Sequence, residues 1–67
     1  MIIGTVRWFN PELGFGFIVV NEFEDAVVHY TAIRMKGFRT LSDGDIVMYD
    51  LARGRNGYLA LNVTPLR

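Results

Sequence analysis

The sequence of 67 residues lacks cysteine altogether and has a single histidine, His29. Disulfide bridges, thiolate metal sites and a cysteine nucleophile are therefore excluded, and one imidazole cannot form a histidine cluster. No apolar run is long enough to cross a membrane, and residues 1–4 lack the charged and then apolar layout of a signal peptide. We therefore expect a soluble, cytoplasmic protein with one domain over residues 1–67.

An excess of charge of either sign is also lacking, because seven basic residues balance seven acidic ones. Electrostatic attraction alone would therefore not hold a polyanion.

The sequence also gives little support to an enzyme. A hydrolytic triad would need Ser42, His29 and a carboxylate to meet, but Ser42 precedes Asp43-Gly44 in a predicted turn, far along the chain from His29. We expect no catalytic residue, no metal, no cofactor and no small-molecule substrate.

What the sequence does contain is a series of short apolar and β-branched runs separated by Gly, Pro, Asn and Asp. Such runs predict strands and turns rather than helices. We expect one helical turn at residues 31–33, a long surface loop at 34–44, a tight turn at Asn56-Gly57, and strands at 2–10, 15–20, 26–30, 46–52 and 58–64. Five short strands predict an all-β, antiparallel barrel that is closed or nearly closed, because closure removes exposed strand edges.

The most informative triplet is Phe15-Gly16-Phe17 in the second predicted strand. Side chains alternate across a strand, so the two phenyl rings share one face while Gly16 points to the other. The same alternation on the third strand places Val27 beside His29. A glycine inside a strand indicates a bend or the close approach of another backbone or a ligand. Taken alone, such a triplet is more often core packing than a binding site.

The motifs around this triplet resemble those of the bacterial cold-shock domain, a five-stranded barrel of the oligonucleotide/oligosaccharide-binding (OB) fold. The resemblance covers essentially the whole sequence. It is carried by Gly-Thr-Val-Arg-Trp-Phe-Asn at residues 4–10, Gly-Phe-Gly-Phe-Ile at 14–18, Val-His-Tyr-Thr-Ala-Ile at 28–33, Gly-Phe-Arg-Thr-Leu at 37–41 and Asn-Val-Thr at 62–64.

The resemblance implies binding of single-stranded RNA or DNA with weak sequence preference, as in an RNA chaperone or transcription antiterminator. Bases would stack on solvent-facing rings, each contributing about 1–3 kcal/mol. Arg7 would lie near the backbone of the bound strand, and Asn10 and Asp25 would make polar contacts either to bases or to the protein's own loops. Phe9 belongs either to the stacking surface or to the core. The rings that the resemblance assigns to stacking are those of Trp8, Phe15, Phe17, His29, Tyr30 and Phe38.

The sequence departs from the family pattern at several positions. Val27 stands where the family usually has an aromatic residue, so one ring is missing, and Leu13 replaces a usual lysine. Tyr58 and Leu59 stand in place of a proline and a polar residue. Tyr58 would add a stacking surface or only pack against the fourth strand.

The apolar residues Ile3, Ile46, Met48 and Leu66 are expected to share one outer face, because the family topology places the fourth strand beside the first. Such a patch often marks an interface. A monomer is the default expectation, and a homodimer through this patch or by strand exchange at the 34–44 loop is the alternative. The corresponding alternative function is a degenerate cold-shock-like barrel with weak nucleic-acid affinity that acts through protein contacts.

Overall fold

The computed structural model describes residues 1–66, and Arg67, the last residue of the expected domain, lies outside the described residues. Five strands and one short 3₁₀ helix follow one another along the chain. They are β1 (Ile2–Asn10), β2 (Phe15–Val19), β3 (Asp25–His29), the 3₁₀ turn (Tyr30–Ala32), β4 (Ile46–Gly54) and β5 (Gly57–Pro65).

The strands close into a barrel in the order β1-β2-β3-β5-β4. β1 is long enough to pair with two neighbours, since residues 2–5 pair with β4 and residues 5–10 pair with β2. These pairs are antiparallel, as are β2 with β3 and β4 with β5. The barrel closes through a short parallel contact of β3 with β5 at Ala26–Tyr58 and Val27–Leu59. The expected all-β, five-stranded closed barrel is confirmed, with this one parallel contact as an addition.

The core is formed by the inward-facing residues of all five strands and two residues outside them. Alternation is clearest in β2 and β3, where Gly16, Ile18, Ala26 and Val28 are buried while their neighbours are more exposed. No side-chain nitrogen or oxygen that is buried within residues 1–66 lacks a hydrogen-bond partner. The buried apolar residues are Val6, Phe9, Ile18, Ala26, Val28, Ile33, Leu41, Val47, Tyr49, Ala60 and Val63.

Two β-bulges interrupt the regular alternation. In β1, Val6 pairs with Ile18 and Trp8 with Phe17, so Arg7 is an extra residue. In β5, the register shifts opposite Tyr49, where Asn62 adopts a positive φ of 52°. A bulge turns the following side chains to the opposite face, so strict alternation fails beyond it.

The loop between the 3₁₀ turn and β4 lies on the surface but is fastened at several points. Leu41 inserts into the core, and the Arg34 amide donates to the Val63 carbonyl at 2.7 Å. Near the end of the loop, the Gly44 amide donates to the Val6 carbonyl and the Val6 amide donates to the Asp45 carbonyl, both at 2.8 Å. The loop is therefore held at both ends.

The turn between β4 and β5 is displaced by one residue from its expected position. Gly54 pairs with Gly57, so the two loop residues are Arg55 and Asn56 rather than Asn56 and Gly57. Gly57 instead opens β5 with a φ of 142°. Within residues 1–66, no helix is long and apolar enough to cross a membrane.

Candidate nucleic-acid interface

Three aromatic rings lie together on the outer surface of β1 and β2. The ring centroids of Trp8 and Phe17 are 5.2 Å apart, those of Trp8 and Phe15 are 6.0 Å apart, and those of Phe15 and Phe17 are 6.1 Å apart. The rings are tilted or edge-on to one another, an arrangement that aromatic pairs favour. Each is at least partly accessible to solvent. With Val27 and His29 of β3, these rings form what we call the stacking face.

The bulge at Arg7 decides which aromatic residue of β1 belongs to this face. Strict alternation would place Trp8 on the same side as the buried Val6. The extra residue instead turns Trp8 outward, with 37% of its surface exposed, and turns Phe9 inward. Phe9 is only 7% exposed and lies in the hydrophobic core. Of the two alternatives for Phe9, the core is therefore the one that the geometry supports, and its place among the nucleic-acid-binding residues is corrected because its ring is not accessible to a base.

Gly16 allows β1 to pass close to β2 at the bulge, because the backbone of β1 lies where a side chain at position 16 would be. A Cβ atom at this position would collide with the carbonyl oxygen of Trp8 and would lie 2.6 Å from the Cα atom of Phe9. Both atoms belong to backbone, which cannot turn aside as a side chain can. Of the reasons that a strand glycine suggests, the close approach of another backbone is the one that applies.

The stacking face continues across the barrel beyond the missing ring. Trp8 pairs with Phe17, Phe17 with Val27, and Val27 with Leu59 of β5. Val27 and Leu59 are 37% and 40% exposed. Neither carries a ring, and both line a depression of about 410 Å³ between Phe17 and the β4–β5 turn. Sequence reasoning missed Leu59 as part of this row, because the parallel contact of β3 with β5 is not visible in the pattern of either strand.

His29 and Tyr30 extend the aromatic surface from the end of β3. His29 pairs with Phe15, and the His29 and Tyr30 ring centroids are 4.7 Å apart with 38° between the ring planes. His29 Nδ1 lies 2.8 Å from Thr31 Oγ1, which fixes the orientation of the imidazole. Tyr30 lies over Gly14, where a Cβ atom would approach its ring to 3.0 Å. Gly14 therefore makes room for the tyrosine as well as adopting a positive φ of 82°.

A second aromatic element adjoins the stacking face at Tyr30. A cleft of about 470 Å³, which we call the aromatic cleft, is lined by residues 11–14, Tyr30 and residues 37–39. Phe38 is 73% exposed in the long loop. A cleft of this volume lies within the range of ordinary ligand pockets. The structure thus places five of the six predicted stacking rings side by side on β1, β2 and the end of β3, and the sixth, Phe38, in the aromatic cleft that Tyr30 also lines.

The polar residues predicted for the site make contacts within the protein. Arg7 donates to Asp25 through Nε at 2.8 Å and Nη2 at 3.1 Å. The hydrogen bond and charge of Asp25 raise the pKa of the Arg7 guanidinium above its ordinary value. Asn10 Oδ1 accepts from the amides of Glu12 and Leu13 and so shapes the β1–β2 turn. For Asn10, the structure shows a contact to the protein's own loop.

A polar network centred on Asn62 was not anticipated from the sequence. Arg34 donates to Asn62 Oδ1 through Nε at 3.2 Å and Nη2 at 2.6 Å. Asn62 Nδ2 donates to Asp50 Oδ2 at 2.8 Å, and Asp50 also pairs with the N-terminal amine. The Asn62 hydrogen bond is the main cause that lowers the pKa of Asp50. The sequence feature that could have indicated this bulge is an asparagine inside a predicted strand, because asparagine adopts positive φ more readily than most residues.

Tyr58 does not join the stacking face. It pairs with the buried Ala26, packs against the core and is covered by Arg53. The Arg53 guanidinium lies 4.9 Å from the ring centroid, and its Nη2 donates to the tyrosine hydroxyl. Of the two alternatives for Tyr58, packing is the one that the geometry supports.

A model of the family described as the "Cold-shock" DNA-binding domain matches residues 2–66. The chain belongs to the cold-shock domain family. It is 46% identical over 66 residues to the major cold shock protein of Streptococcus pyogenes serotype M1, covering 98% of both chains. It is also 47% identical to the cold shock-like protein CspLB of Listeria monocytogenes, covering 98% of this chain and all of the relative. Cold shock protein 2 of Lactiplantibacillus plantarum is 48% identical over 62 residues, covering 92% of this chain and 94% of the relative.

Membership of the cold-shock domain family supports nucleic-acid binding of the cold-shock type. The family match and the closed barrel confirm the resemblance found in the sequence motifs. The stacking face and the aromatic cleft are the surfaces of this barrel whose chemistry suits nucleobases, because every base has a flat π-face that can stack on an aromatic ring.

Proposed function

We propose that this cold-shock domain binds single-stranded RNA or DNA by stacking bases on the stacking face and in the aromatic cleft. The observation that carries the proposal is the group formed by Trp8, Phe15 and Phe17. Their centroids lie within 6.1 Å of one another on a surface open to solvent. Burying these rings in the core would be the ordinary use of aromatic residues in so small a barrel. Their exposure has a physical reason if bases cover them.

The proposed binding is tolerant of sequence, because stacking does not read the hydrogen-bonding edges of a base. Polar groups that could read those edges are largely engaged within the protein, as the contacts of Asn10 and Asp25 illustrate. We therefore propose an RNA chaperone or antiterminator that acts in the cytoplasm. By binding only unpaired nucleotides, the domain would shift weak RNA hairpins toward the open form through mass action. No nucleotide hydrolysis is required for this shift.

The proposal is tested with Phe15→Ala and Phe17→Ala, measured against a short pyrimidine oligonucleotide. Each substitution removes one stacking ring, so we expect affinity to fall about tenfold or more. Phe23→Ala is the matched control, since Phe23 is 90% exposed in the β2–β3 turn, outside the stacking face. Circular dichroism of each variant verifies that the barrel is folded. Equal affinity of all three folded variants and the wild type would overturn the proposal.

A second candidate, contact between copies of the chain, is favoured by one observation. Ile3 and Met48 are cross-strand partners, and the Leu66 amide donates to the Ile46 carbonyl at 3.0 Å. Ile3, Ile46 and Leu66 are exposed and Met48 is partly buried, so an apolar outer face exists away from the stacking face. We infer a monomer as the default state. Sedimentation at several concentrations distinguishes the two, since growth of the mass toward a dimer at high micromolar concentration would support association.

A further inference from the structure

Three of the seven cations of this neutral chain lie around one concavity beyond the stacking face. The concavity, about 460 Å³ in volume, is lined by Thr31, Ile33, Arg34, Met35, Lys36 and Arg39. We call it the cationic pocket. Its lining contains no carboxylate, and the two ion pairs found within residues 1–66 involve neither the loop cations nor any residue of this pocket. The pocket is therefore a local positive surface on a protein with no net charge.

Arg34 differs from Arg7 in how it is held. The Arg7 guanidinium is paired with the Asp25 carboxylate, so its charge is largely compensated. Arg34 is fixed instead by the neutral amide oxygen of Asn62, which orients the guanidinium without cancelling its charge. Only Nε and Nη2 take part, which leaves the Nη1 donors without a partner among residues 1–66. A charged guanidinium with free donors suits a phosphate oxygen.

The cationic pocket is continuous with the aromatic surface. Arg39 lines both the aromatic cleft and the cationic pocket, and Thr31 of the pocket follows Tyr30 directly and bonds to His29. A strand whose bases occupy the Tyr30–Phe38 cleft would therefore carry its next phosphates to the edge of this pocket.

We propose that the cationic pocket binds the phosphodiester backbone of the nucleic-acid strand as it leaves the aromatic cleft. Arg34, Lys36 and Arg39 supply the positive charge that Arg7, paired with Asp25, does not. This inference rests on the proposed function, and it assigns the electrostatic part of binding to the long loop rather than to β1. It predicts that the salt dependence of binding resides mainly in residues 34–39.

The test compares Lys36→Gln and Arg39→Gln with the wild type on an oligothymidine long enough to extend past the cleft. The control is Arg53→Gln, which removes the same charge from a side chain that covers Tyr58. Each phosphate contact on a single strand contributes about 0.7 to the slope of log K against log salt. We expect the slope of each pocket variant to be smaller than that of the wild type by about this amount. When the salt is raised from 50 to 200 mM, the wild type should therefore lose about 2.6-fold more affinity than either pocket variant. The Arg53→Gln slope should equal that of the wild type.

A second arm repeats the comparison with an oligothymidine whose phosphates are replaced by neutral methylphosphonates. The wild type and Lys36→Gln should then bind equally, because the group that Lys36 contacts has lost its charge. A difference that persists on the neutral strand, or slopes that are unchanged in both pocket variants while the wild type binds, would overturn this inference alone. A wild type that binds neither oligonucleotide would overturn the proposed function and this inference with it.

Discussion

Replacing Val27 by phenylalanine should strengthen oligonucleotide binding, which no loss of folding can imitate. Val27 lies between Phe17 and Leu59 in one row across the barrel, beside the depression of about 410 Å³ that the missing ring leaves. Because Val27 is partly exposed and lines this depression, a phenyl ring there has open space to occupy. A stacked base gains about 1–3 kcal/mol from a ring. Because the valine already gives some apolar contact, we expect a gain of about 1 kcal/mol, or about fivefold in affinity.

The matched control for Val27→Phe is Ile46→Phe. Ile46 is also β-branched and faces outward, and it is 40% exposed against 37% for Val27. It lies on β4, on the far side of β1 from β2, so a ring there would not join the stacking face. Affinity is measured by fluorescence anisotropy of a labelled pyrimidine oligonucleotide at fixed salt. Unchanged or weaker binding by Val27→Phe, or an equal gain in Ile46→Phe, would refute the reasoning.

Three further predictions concern the core and its polar network. Phe9→Leu should cost about 1–2 kcal/mol of unfolding free energy but leave the oligonucleotide affinity of the folded variant unchanged, and a clear loss of affinity would contradict its core position. Gly16→Ala should cost about 1–3 kcal/mol or more in urea denaturation, because its Cβ would meet the β1 backbone, and wild-type stability would refute that contact. Since the pKa of Asp50 is lowered in the folded state, its charge stabilises the barrel above the ordinary carboxyl pKa, and this contribution disappears as the pH falls through the lowered value. Asp50→Asn should therefore be less stable than the wild type at pH 7, and the difference should shrink as the pH falls from about 4 through the lowered pKa of Asp50. A difference in urea midpoint that stays constant with pH would contradict this.

Much of the fold follows from local pattern. The strands of the barrel were predicted to within two residues at every end, because apolar runs and turn residues mark their bounds directly. Alternation also predicted correctly that Phe15 and Phe17 share one face of β2 and that Val27 and His29 share one face of β3. These features depend only on the alternation of side chains along a single strand, which can be predicted from the sequence of that strand.

What could not be predicted depends on local departures from that geometry. The bulge at Arg7 exchanges the faces to which Trp8 and Phe9 point, and no residue at this point of β1 is of a type that predicts a bulge. The bulge at Asn62 likewise creates the network that fixes Arg34. Leu59 joins the stacking face only because β3 and β5 meet in parallel. Predicting each of them requires the residue-by-residue register between paired strands, which the alternation within a single strand does not give.

The positions of the charged residues matter more for the proposed binding than the net charge of the chain. Zero net charge suggests weak electrostatic attraction. The structure separates cations that are compensated, such as Arg7, from cations that are not, such as those of the cationic pocket. Exposed charges more than about 8 Å apart are largely screened at physiological salt, so a bound strand responds mainly to the charges beside it. Local arrangement, rather than the sum of charges, therefore governs what this surface can attract.

The central claim, that bases stack on exposed rings, is tested most directly through the fluorescence of Trp8. It is the only tryptophan of the chain, and its ring lies 5.2 Å from Phe17 and 6.0 Å from Phe15. Titration with a short pyrimidine oligonucleotide should quench its emission saturably, with the same midpoint as anisotropy of the labelled strand. Binding detected by anisotropy with no change in Trp8 emission would contradict the account, because it would place the strand away from the stacking face.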